Sequence, residues 1–221
     1  MFLAQDLGRL AGKILRINPA NGLGYSSNPF FNGDLNSNRS RVWAYGLRNG
    51  FRFEVNNFNG QTDPNLGRPG TLYIGEVGRY LYDELNICRG GENFGWPYFE
   101  GPQPYQPGGN GLNVVDPIVA FAHPETRSII GGAFYGGTAW PTEYRNRFFV
   151  ADFVEGWIRT YLPNSTHTGV TEGLFATGIK GMTDMEYDPI SQSIYLVGMG
   201  ADFIFFDDQG LEGLYRLRYV G

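Results

Sequence analysis

Two stretches of the chain carry residue types with which chemistry is done. In "EVGRYLYDELN" (residues 76–86), followed by "GGENFGWP" (90–97), the acids Glu76, Asp83 and Glu84 stand among glycines and aromatics. Carboxylates, and the backbone carbonyls that a glycine-rich chain can present, are the oxygen ligands that a hard cation such as Ca²⁺ gathers. The plainer alternative is a turn capped by Asp83 with Glu84 in solvent. The second stretch is "YGLRNG" (45–50). A planar, permanently charged guanidinium such as that of Arg48 holds a carboxylate through two parallel hydrogen bonds, and Asn49 offers both a donor and an acceptor. The alternative there is Arg48 bonded to a main-chain carbonyl and Asn49-Gly50 as a hairpin turn, which that pair favours. A general base needs reach and a tuned pKa. The only histidines are His123 in "FAHPET" and His167 in "PNSTHTG", both simplest as loop residues.

Any such residues must be positioned by strands. Among 221 residues there are 33 glycines and 13 prolines, aromatics make up 16% and charged residues only 18%, a balance that fits many short strands joined by turns. The runs "GKILRIN", "GTLYIGEV", "RFFVADF", "GWIRTYL", "SIYLVGM" and "GLYRLRYV" are β-branched or aromatic and bounded by turn formers. Helical periodicity never lasts beyond about two turns. An all-β chain follows, with about fourteen strand candidates spaced as in a sandwich, a barrel or propeller blades. At blade length the chain supplies about four to five units, and "GKILR", "GWIR" and "GLYRLR" form a weak internal repeat.

Composition also excludes. The net charge of −5, with no Lys/Arg cluster, lacks the footprint of nucleic-acid binding. No apolar run is long enough for a membrane span. A single cysteine, Cys88, rules out an internal disulfide framework and a cysteine zinc site.

Taken in order, "GKILRINP" (12–19), "NPFF" (28–31), "VWAYGLRN" (42–49), "EVGRYLYDELN", "GGENFGWP" and "HPETRSIIGGAFYGG" (123–137) resemble the glucose/sorbosone dehydrogenase family. These are soluble quinoproteins that oxidise aldoses with pyrroloquinoline quinone (PQQ). "RFFVADFVEGWIRTYLP" and "GLEGLYRLRY" extend the resemblance over nearly the whole chain. It implies a six-bladed β-propeller, here a single partial domain over residues 1–221. The chain is expected to form an incomplete arc of about four blades of four-stranded antiparallel sheets, without the N-terminal blades. Open blade edges would then invite self-association, unless a longer native product carries the absent blades.

The same resemblance implies site residues. Arg48 and Asn49 match the pair that contacts the cofactor. The carbonyls that hold a quinone-polarising calcium fall on Gly78 and Arg79, where arginine stands in place of the family's proline. Glu84, with the carbonyl of Phe94, matches a structural calcium site. The catalytic residue stays unknown, because the family's histidine base lies in the earlier blades and His123 matches a different loop position. Val154 stands where the family has a lysine, and "KGMTD" (180–184) lacks its arginines, although Lys180 partly compensates. Two functions follow as expectations. One is a PQQ-dependent sugar dehydrogenase that oxidises an aldose C1 hydroxyl to the lactone. The other is a non-catalytic, calcium-stabilised propeller that binds a carbohydrate or a protein. A periplasmic or extracellular location goes with either.

Overall fold

The computed structural model describes residues 2–56, 59–166, 168–199 and 212–220. His167 lies outside them. Fifteen strands are described: β1 (Lys13–Leu15), β2 (Val42–Tyr45), β3 (Gly50–Asn56), β4 (Thr71–Glu76), β5 (Tyr82–Cys88), β6 (Phe99–Glu100), β7 (Gln103–Pro104), β8 (Val119–Ala122), β9 (Ile129–Phe134), β10 (Phe148–Asp152), β11 (Ile158–Pro163), β12 (Val170–Ala176), β13 (Met182–Asp188), β14 (Ser193–Met199) and β15 (Glu212–Leu217). The α-helical structure among the described residues is one turn, Asn38–Arg41, capped by the Ser37 side chain on the Ser40 amide.

The strands form antiparallel sheets in chain order. β1 pairs with β2; β3-β4-β5-β8 and β12-β11-β10-β9 are four-stranded; β13-β14-β15 is three-stranded; β6-β7 is a short ribbon. This is the expected open arc of propeller-type sheets, although only two of its sheets carry four strands among the described residues. Each of the expected strand runs is a strand.

Period-two alternation explains the stacking. In β10, Phe148 and Val150 join a core with Tyr73, Leu85, Phe121 and Trp157, whereas Phe149 and Ala151 join another with Ile130, Trp140, Met185 and Leu196. In β4, Tyr73 faces the first of these cores, while Leu72 and Ile74 face a third with Trp43, Leu47 and Phe94. Three apolar layers therefore lie between four successive sheets. The middle sheets are buried on both faces, which is why β4, β9 and β10 are buried at every residue. On the last sheet, Val197 of β14 pairs with Leu214 of β15, and both are exposed.

Glycine sets the distance between sheets. A Cβ on Gly75 of β4 would sit 2.6 Å from the Gly131 amide nitrogen and 2.7 Å from the Ile130 carbonyl carbon of β9. A Cβ on Gly131 would in turn meet the Arg52 backbone of β3. These obstacles are main chain and cannot step aside as a flexible side chain would. Gly75→Ala is expected to lose more than about 2 kcal/mol by overpacking. The loss would be read as a lower urea midpoint with an unchanged slope.

Candidate functional site: buried carboxylates and a cationic pocket

The acids of "EVGRYLYDELN" are buried and lie on strands, which corrects the alternative of a solvated Glu84. Glu76 ends β4; Asp83 and Glu84 belong to β5; Glu76, Asp83, Glu84 and Glu100 are all under a tenth exposed. Each is occupied chiefly by backbone amides. Glu76 accepts the N–H groups of Arg48 and Asn49. Asp83 accepts from the Gly78 amide at 2.8 Å and the Ile129 amide at 3.0 Å, and lies 3.1 Å from His123 Nε2. Glu100 Oε1 accepts three successive amides, Arg79, Tyr80 and Leu81. At the end of β10, Asp152 accepts the amides of Arg127, Ser128, Val154 and Glu155.

Glu76 and Glu84 pair across β4 and β5, and both approach the Asn86 side-chain amide, at 3.5 and 2.8 Å. Burial pushes both carboxyls above the usual range, most strongly Glu76, which also faces the charge of Glu84. Glu84 Oε1 takes the Gly101 amide, whereas the Phe94 amide is bonded to the Tyr45 carbonyl. Among the described residues no group of three or more His, Cys, Asp or Glu side chains is placed to share a metal ion. Asn86 Oδ1 and Glu100 Oε2 are buried and unpaired.

The amides held by Glu76 and Glu100 belong to two turns that meet at a pocket of about 420 Å³. Arg48 enters it from the β2–β3 connection and Arg79 from the β4–β5 turn, beside Leu47, Trp96, Tyr105 and Gln106. Arg48 Nη1 donates to the Val77 carbonyl at 2.8 Å, and its guanidinium lies 5.6 Å from the Trp96 ring centre. Trp96 stacks on Tyr105 with ring centres 5.4 Å apart. No described lining residue is acidic. Lys13 adds a third positive charge nearby, donating to the carbonyls of Leu3, Ala4 and Ala11, which line the same pocket.

The structure brings Arg48 and Arg79 to one pocket, whose lining does not include Glu84 or Phe94. Asn49 contributes main chain: its amide goes to Glu76, and its carbonyl accepts from Val77. The hairpin alternative for Asn49-Gly50 is excluded, since β2 pairs with β1 and β3 with β4. Sequence reading missed Glu100, Trp96 and Tyr105 as parts of the site. "YFEG" held the only available hint for Glu100, an acid between an aromatic and a glycine.

A model of the family described as glucose/sorbosone dehydrogenase matches residues 1–189. The chain belongs to this family. It is 32% identical over 169 residues to the HIPL2 protein of Arabidopsis thaliana, a match covering 64% of this chain and 23% of that protein. To the aldose sugar dehydrogenase YliI of Escherichia coli it is 27% identical over 154 residues, 66% of this chain and 37% of that one. The PQQ-bound aldose sugar dehydrogenase of Streptomyces coelicolor superposes with a TM-score of 0.68 at 24% identity, covering 98% of this chain and 54% of that one. The apo-form E. coli enzyme gives 0.66 at 25% identity, covering 88% and 53%. The chain thus spans about a quarter of the HIPL2 protein and about half of the enzymes of known structure. No helix among the described residues is long and apolar enough to cross a membrane.

Away from the pocket, β3 and β13 carry a second group of acids. Desolvation pushes the Glu54 carboxyl up to about 7, helped by Glu186 and then Asp184, against a main-chain hydrogen bond at Val55 that lowers it. Arg52 lies 3.4 Å from Asp184. A carboxyl raised on folding contributes most below its unfolded value near 4.5 and loses that contribution as pH rises towards 7. Glu54→Gln is expected to flatten stability over that interval and to stabilise the protein at pH 7.5. The gain should stay below about 1 kcal/mol, because Glu54 is only partly buried and solvent screens it. Melting curves from pH 4 to 8 check this.

Proposed function

We propose that the chain is the cofactor-holding arc of a PQQ-dependent sugar dehydrogenase, whose intact form oxidises an aldose C1 hydroxyl to the lactone. The observation that carries this reading is the pocket: two guanidinium groups, a stacked Trp-Tyr pair and no acid among its described lining residues. Its volume of about 420 Å³ falls within the range of small-molecule sites. PQQ is planar and carries three carboxylates, so the donor set fits it. Arg48 and Arg79 would bind its carboxylate or quinone oxygens by charge-assisted hydrogen bonds, while Trp96 and Tyr105 would cover its flat face and exclude water. When bound, the quinone supplies the acceptor for the two electrons leaving the sugar.

The proton of the sugar hydroxyl needs a base. His123 is engaged with buried Asp83 and does not line the pocket. This favours a second reading for these residues alone, in which the arc binds its ligand without turnover. The periplasmic or extracellular location of the first reading is retained.

Titration with PQQ in the presence of calcium, followed by quenching of tryptophan fluorescence, tests the binding claim. Saturable binding is expected, weakened at least about tenfold in Arg48→Gln. Dye-linked glucose oxidation by the 221-residue chain should stay at the level of free PQQ. No saturable binding would refute the reading. Turnover abolished by His123→Ala would instead place the base at the Asp83–His123 pair.

A further inference from the structure

The turn that presents Arg79 is unusual in how it is held. Glu100 Oε1 gathers the amides of Arg79, Tyr80 and Leu81 at 2.5, 2.7 and 3.0 Å, and Asp83 takes the amide just before them, that of Gly78. A Cβ on Gly78 would lie 1.7 Å from the Tyr82 carbonyl oxygen and 2.8 Å from Glu100 Oε1. The backbone is thus packed against its own anchors, and the conformation is fixed before any ligand arrives. Its amides are spent on internal carboxylates, and its exposed side chain is a guanidinium that lines the pocket together with Arg48. Arg79 also lies over the Tyr80 ring, 5.0 Å from its centre.

A divalent cation at the Gly78-Arg79 step would join two guanidinium groups, with Lys13 bonded to the pocket wall behind them, in a pocket whose described lining offers no carboxylate. Arg48 and Arg79 are both exposed, so water screens their charges, yet two positive side chains at one pocket still oppose a further cation and favour an anion, and the step is a poor fit for a calcium ion. The same arrangement suits an anion. Resting on the reading above, we propose that the Arg79 guanidinium takes the place of a metal ion at this step, so that the pocket binds a planar aromatic polycarboxylate without metal. Arg79 and Arg48 grip the ligand's oxygens from two turns, each turn fixed by its own buried carboxylate, Glu100 and Glu76. The Trp96-Tyr105 stack provides the flat wall.

The proposal separates this chain from any protein whose pocket depends on calcium, and it assigns Arg79 a role that its plain exposure would not suggest.

PQQ is titrated into the chain in EDTA and, separately, in millimolar calcium, with binding read by tryptophan quenching and calorimetry. The wild type is expected to bind equally in both, within about twofold. Arg79→Gln should weaken binding at least about tenfold in EDTA, and Arg79→Lys, which keeps the charge, should recover part of it. Arg79→Pro should make binding calcium-dependent. Melting temperatures of the variants identify any that fail to fold, and Arg79→Lys keeps the test open if Arg79→Pro does. Wild-type binding that requires calcium overturns this proposal and leaves the PQQ reading standing, as does unchanged binding by Arg79→Gln. No binding in either buffer overturns both.

Discussion

The loop face of this protein depends on one repeated interaction, a buried carboxylate that accepts main-chain N–H groups from a turn distant in sequence. Glu76 fixes the Arg48-Asn49 turn, Glu100 the turn at residues 79–81, Asp83 joins the β4–β5 turn to the start of β9, and Asp152 joins residues 127–128 to 154–155. Turns at the ends of stacked sheets have amides that no ladder can satisfy, and leaving them buried and unpaired costs about as much as a lost hydrogen bond. A carboxylate satisfies several at once. It also brings negative charge under a surface whose exposed side chains are cationic, so the protein holds its arginines outward by burying acids beneath them.

The apolar layers and the glycines supply the frame on which this works. Sheets buried on both faces stack at a separation set by Gly75 and Gly131, and the strand ends then stand in register, close enough for Asp83 on β5 to reach the Ile129 amide that begins β9. Packing thus decides where the turns lie, and the carboxylates decide their conformation. The pocket between Arg48 and Arg79 follows from both, since its cations come from turns on either side of β3 and β4.

Much of this frame was legible in the sequence. Runs such as "FFVAD" and "SIYLVG" declare strands through β-branched and aromatic residues, and the ordered motifs pointed to propeller-type sheets. β5 was harder. Its "YDELN" alternates acids with apolar residues and borders turn formers, so it reads as a polar loop, and only the stacked sheets show that these acids are buried. Arg48 was recognisable as a candidate site cation. Arg79 was recognisable only as a departure from the family pattern, because its meeting with Arg48 depends on the three-dimensional course of β3 and β4. Glu100 carried almost no signal, since a lone acid in an aromatic loop is usually solvated.

Amide hydrogen exchange, residue by residue, tests the central claim most directly, comparing the wild type with Glu100→Ala. The account predicts that the amides of Arg79, Tyr80 and Leu81 exchange at least about tenfold faster in the variant, while the ladders of β9 and β10 keep their protection. Unchanged exchange at residues 79–81, or an equal acceleration throughout the chain, would contradict the claim that a buried carboxylate holds that turn.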